Sequence, residues 1–198
     1  MKKVILIGGA PFTGKSTLAR ELAAKFNYAC ISTDDLGTAV KAISPDPAFN
    51  PMKDLPHWKY YQEHTVQELF DHTILYHQKL MPSVKAVIEG HSKTGYPAVI
   101  EGWALYPDWV DSLPYENIDS LWLTASKVIL KTRVLADKLF YSDVPDPDIF
   151  INHYSERNVW LNKKIEADAK SLGMKIIEID SNTDRENLLL NACKQLQT

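Results

Sequence analysis

Short apolar runs alternate with stretches in which apolar residues recur every three or four positions, and this alternation continues along the chain. Val4-Ile5-Leu6-Ile7 is a continuous run, as expected of a parallel strand buried on both faces. From Thr17 to Phe26 the apolar positions 18, 19, 22, 23 and 26 have helical spacing. Tyr28 to Ser32 reads as a second strand. Thr33-Asp34-Asp35-Leu36 follows as a helix start, with Thr33 or Asp34 suited to the N-cap and the acids suited to the helix dipole. Ser44 to Pro56 carries Pro45, Pro47, Pro51 and Pro56, which excludes a regular element and predicts a loop. His57 to Leu80 is helical, and Pro82 suits the first turn of a new helix to about Ser92, so two helices with a bend are expected.

Beyond the turn Gly95-Tyr96-Pro97, Ala98 to Gly102 predicts a third strand. Trp103 to Pro114 is a loop with one helical turn, and Ile118 to Leu123 a fourth strand. Helix returns from Ser126 to about Phe140, and Tyr141 to Asp148, with Pro145 and Pro147, is a loop. A long helix from about Asp148 to Leu172 ends at Gly173, which favours a C-terminal cap. Lys175 to Ile179 is the fifth strand and Arg185 to Gln195 the last helix. Strand and helix in alternation predict an α/β fold of about five parallel strands covered by helices on both faces.

Composition narrows the picture without changing it. With 198 residues, 45% of them hydrophobic, one domain over 1–198 is the natural count. The net charge of −3 is scattered, so a long nucleic acid or an anionic membrane is not an expected partner. The two cysteines, Cys30 in a strand and Cys193 in the last helix, lack metal-ligand spacing and read as reduced thiols. No signal-peptide layout or bilayer-length apolar span is evident, and a soluble, cytoplasmic protein is expected.

The chemistry centres on Gly9-Ala10-Pro11-Phe12-Thr13-Gly14-Lys15-Ser16-Thr17, which fits the phosphate-loop pattern G-x-x-x-x-G-K-[ST] between a strand and a helix. Gly9 and Gly14 let the backbone turn tightly and approach a ligand closely. Loop amides and the open N–H groups of the helix start then favour an anion. In this pattern Lys15 reaches the β- and γ-phosphates of ATP, and the Ser16 hydroxyl ligates Mg²⁺.

Other polar groups fall at strand ends, where open parallel sheets hold ligands. Asp34 and Asp35 are candidates for a general base or for holding Mg²⁺ through water, with helix capping as the plain alternative. Asp34 is favoured as base because it stands nearer the strand end. Glu101 ends the third strand and suits the surroundings of Mg²⁺. Arg133 and Arg157 flank the proline-bearing loop and could stabilise charge on a transferring phosphoryl, or else pair with surface acids such as Asp137 and Glu156. Aromatics in His57-Trp58-Lys59-Tyr60-Tyr61 and at Trp103, Tyr106 and Trp109 are core or substrate-stacking groups, and the helical histidines read as structural.

With these residues in place, the chain resembles the small P-loop kinases of metabolites and nucleotides over nearly its whole length. Ile31-Ser32-Thr33-Asp34-Asp35-Leu36 and Val99-Ile100-Glu101-Gly102 look like the paired motifs of the 2-phosphoglycerate kinase-like group. The resemblance implies a three-layer P-loop fold, Asp34 as base, a small mobile lid at about 133–157, and transfer from ATP to a hydroxyl of a small-molecule acceptor. The basic residues from Thr33 to Tyr61 are mainly Lys41, Lys53 and Lys59, few for an acceptor that already carries phosphate. A polynucleotide 5′-kinase would want a basic groove. A nucleotide switch would want an Asn-Lys-x-Asp stretch, which Asn162-Lys163-Lys164-Ile165 does not supply. A monomer or homodimer is expected.

Overall fold

In the computed structural model, which describes residues 4–52 and 55–196, five parallel strands stand in the order β2-β3-β1-β4-β5. They are β1 (Val4–Gly9), β2 (Ala29–Ser32), β3 (Ala98–Gly102), β4 (Ile118–Ala125) and β5 (Ile176–Ile179). The helices are α1 (Lys15–Phe26), α2 (Thr33–Ile43), α3 (His57–Glu63), α4 (Val66–Thr94), α5 (Pro107–Asp111), α6 (Lys127–Ala136), α7 (Pro147–Ser171) and α8 (Arg185–Gln195). The apolar run of β1 divides by the strand's two-residue period. Ile5 and Ile7 pack with Leu18 and Leu22 of α1 and Cys193 of α8, whereas Val4 and Leu6 pack with Leu80, Val84 and Ile88 of α4 and Leu161 of α7. This is the three-layer α/β fold that the sequence predicts.

The helix boundaries after residue 56 differ from expectation. α4 runs unbroken through Pro82, and the break comes earlier, at His64-Thr65. Thr65 accepts a hydrogen bond from Glu68 N, and the Glu68 carboxylate accepts one from Thr65 N at 2.8 Å, a complete capping box that starts α4 afresh. Pro82 leaves the Gln78 carbonyl without its helical donor, but both residues lie on the exposed face, where water can serve instead. The loop 44–56 is also not wholly irregular. Pro47–Phe49 forms a short 3₁₀ turn that buries Phe49, while Lys53 lies outside the described residues. α6 stops at Ala136, where Asp137 caps a second 3₁₀ turn, Lys138–Tyr141. Pro147 opens α7 in the first-turn position that proline favours.

A third cluster lies beyond the sheet and is rich in aromatic residues. Tyr60, Tyr61, Phe150 and Tyr154 form it with Phe12, Phe140 and Leu69. Its place at the carboxyl end of the strands matters for the site. Cys30 is exposed, since β2 is an edge strand rather than a buried one.

Candidate active site

The carboxyl ends of β2, β3 and β1 lie side by side, with Ser32 level with Glu101 and Gly102 level with Gly8. Between β1 and α1 the chain forms a loop with three left-handed or near left-handed residues: Gly9 (φ 147°), Phe12 (φ 67°) and Gly14 (φ 98°). Glycine adopts such angles readily. Phe12 does so at a cost, which its ring offsets by packing edge-on against Phe140 (5.7 Å) and Tyr154 (6.0 Å). Thr13 Oγ1 donates to the Ala10 carbonyl at 2.8 Å and closes the loop. Gly14 caps α1 without a side-chain bond, so the first amides of the helix stay open to an anion.

Lys15 begins α1 and is buried. Burial pushes its ammonium below the ordinary value, and the Glu101 and Asp34 carboxylates pull it partly back. Glu101 Oε2 is buried with no hydrogen-bond partner among the described residues, as is Thr33 Oγ1. A carboxylate oxygen left this way beside a phosphate loop fits a hydrated Mg²⁺. Ser16, half-buried on the next residue, would supply its hydroxyl. Among the described residues no group of three His, Cys, Asp or Glu side chains could hold a metal, so phosphate oxygens would have to share it. Asp35 is exposed, with no hydrogen bond or ion pair to its carboxylate among the described residues. Thr17 is exposed at the loop's outer side.

Neither Thr33 nor Asp34 caps α2. Ser32 does, its hydroxyl accepting from Asp34 N at 3.2 Å. The Asp34 side chain is therefore free of capping and accepts a 2.6 Å bond from Trp103 Nε1 instead. Thr33 lies so close to Gly102 that a Cβ there would strike its hydroxyl, which locks the start of α2 against the end of β3. Trp103 in turn meets the edge of His77 at 4.5 Å. His77 is fully buried and bonded to Tyr106 at 2.8 Å, and burial together with the Arg157 and Lys15 charges holds its pKa down to about 3, so it is neutral.

Asp34 lines a cavity of about 300 Å³ with Thr38, Phe49, Met52, Tyr61, Thr73, Tyr76, Trp103 and Arg157. On the other side of the phosphate loop a groove of about 240 Å³ runs over Gly14 and Thr17 to Ile179, Thr183 and Asp184 after β5. Arg133 reaches this groove and donates to the Phe12 carbonyl at 2.9 Å, while Arg185 pairs with Glu21 at its rim. The two arginines expected to flank one lid thus stand apart, Arg133 on the groove and Arg157 in the cavity. Neither forms an ion pair with a described acid, so pairing with Asp137 or Glu156 does not occur; Glu156 pairs with Lys127. The segment 133–157 also has more core than its prolines and acids suggest, because Phe140 and Phe150 pack on His57 and Tyr154. Sequence reasoning did not find the groove residues Thr183 to Arg185, which carry no motif.

Strand order and the phosphate loop are those of a three-layer α/β P-loop fold, and solved small kinases share it. A sugar kinase from Janibacter sp. HTCC2649 aligns over 100% of this chain and 95% of its own, at a TM-score of 0.57 and 16% identity. Shikimate kinase from Bacteroides thetaiotaomicron aligns over 98% of both chains, at 0.58 and 13%. A gluconokinase from Sinorhizobium meliloti aligns over 99% and 92%, at 0.55 and 15%. No family model and no curated protein matches the sequence. Among the described residues no helix is long and apolar enough to cross a membrane.

Proposed function

We propose that the protein is an ATP- and Mg²⁺-dependent phosphotransferase acting on a hydroxyl of a small molecule. The observation that carries this reading is Asp34. Its carboxylate is held by Trp103 on the wall of an aromatic cavity, yet lies near enough to Lys15 to affect that lysine's charge. A carboxylate on the wall of a cavity apart from the phosphate-loop groove suits a second ligand. The phosphate loop and Lys15 would bind and orient the triphosphate, with Arg133 beside the transferring group. Mg²⁺, when bound, supplies charge neutralisation at the phosphate oxygens, with Ser16 and Glu101 favouring its place and Asp35, on the first turn of α2, a further candidate to hold it. Asp34 accepts the acceptor's hydroxyl proton as that oxygen bonds to the γ-phosphorus and the bond to the β-bridging oxygen breaks, giving ADP and a phosphate monoester. The expected localisation is cytoplasmic.

A library of small hydroxyl metabolites, assayed for ADP release, tests the reading. At least one acceptor should stimulate release, and only with Mg²⁺ present; a protein that binds ATP but responds to none would overturn it. The segment from Arg133 to Arg157 would act as the lid. ATP with Mg²⁺ should slow backbone hydrogen exchange at the 3₁₀ turn and the loop before α7, where Leu139 is 86% exposed. Exchange there that ignores the nucleotide would argue against closure.

A further inference from the structure

The cavity that Asp34 lines contains a buried cation with no ion-pair partner among the described residues. Arg157 is 2% exposed, and no described acid forms an ion pair with it. Its Nη1 donates to Thr73 Oγ1 at 3.0 Å, and that hydroxyl donates onward to the Leu69 carbonyl at 2.8 Å, which fixes the rotation of the guanidinium. Nε–H is buried without an acceptor among the described residues. The rings of Tyr61, Trp103 and Tyr154 lie 5.5, 4.9 and 4.8 Å from the guanidinium carbon. Aromatic faces reduce the cost of holding a cation out of water but do not replace an anion. A ligand that brings the anion completes the arrangement.

The rest of the lining selects the kind of anion. Phe49, Met52 and Tyr61 offer apolar surface, and the lysine in the lining, Lys41, is exposed. Lys59 lies outside the lining and pairs with Glu63. A phosphate dianion calls for more than one buried cation, whereas a carboxylate matches one guanidinium in charge and in planar geometry. We propose that the acceptor is a small hydroxy acid. Its carboxylate pairs with Arg157, its hydroxyl meets Asp34, and its apolar surface rests on Phe49 and Met52. The carboxylate makes and breaks no bond; it only orients. This inference rests on the phosphotransferase reading.

The test offers glycerate, gluconate and mandelate, each beside its primary amide, to the protein with ATP and Mg²⁺. An acid should release ADP with kcat/KM at least roughly 10-fold above its amide. Arg157→Gln should raise the KM for that acid about 10- to 100-fold at unchanged ATP affinity, which also shows that the variant is folded, and Arg157→Lys should recover part of the loss. Preference for the amides, or a wild-type KM in Arg157→Gln, would overturn the hydroxy-acid assignment while leaving the phosphotransferase intact. Binding supplies a readout free of turnover. With a non-hydrolysable ATP analogue bound, an acid but not its amide should raise the unfolding midpoint, and only when Arg157 is present. Amides that raise it equally would overturn the assignment whether or not ADP is released.

Discussion

Asp34→Asn should lower phosphoryl transfer by roughly 10²–10⁴-fold while sparing ATP affinity, measured by calorimetry beside the transfer rate. The asparagine keeps an oxygen to accept the Trp103 bond, so the side chain stays in place and only its basicity is lost. Helix capping is not a competing explanation, because Ser32 holds the start of α2. Normal turnover by the variant would sink the assignment of Asp34 as base and turn attention to Asp35. Loss of ATP–Mg²⁺ binding in step with the rate would instead assign the carboxylate to the metal.

Lys15→Ala should remove turnover by roughly 10²–10³-fold or more, since no other described cation reaches the phosphate loop from the same side. Burial adds a second effect. The Lys15 charge compensates Glu101, whose Oε2 has no hydrogen-bond partner, and its loss leaves a buried carboxylate alone. The single variant should therefore melt below the wild type, and Lys15→Ala combined with Glu101→Gln should regain stability without regaining activity. Thermal unfolding and ADP release on the three proteins separate the two effects. Wild-type transfer by folded Lys15→Ala would refute the placement of the active site.

The phosphate loop was legible because its chemistry is local: a strand, eight residues and a helix contain all of it. The inner strands were legible for a related reason, since burial on both faces of a parallel sheet makes residues 4–7, 98–100 and 121–123 unbroken apolar runs. The divided helix was misplaced because Pro82 carries a strong general preference, whereas the Thr65–Glu68 capping box acts on one turn and was overlooked. The surroundings of Arg157 could not be read from the sequence. They are Tyr61, Thr73, Trp103 and Tyr154, which lie on four different stretches and meet only in the folded chain. Asp34 stands just after β2, where the sequence puts it, but its partner Trp103 is 69 residues away and was visible only as one aromatic among several.

The cavity and the groove have separate walls. The first is lined from α2, the 44–56 loop, α3, α4 and α7, the second from the phosphate loop, α1, α6 and the turn after β5. β1 lies between, with β3 and β2 on one flank and β4 and β5 on the other. On the phosphotransferase reading, such a layout would make donor and acceptor choice independently heritable. Drift at Phe49, Met52 or Tyr76 would reshape what is phosphorylated and leave untouched the surface that selects the phosphoryl donor.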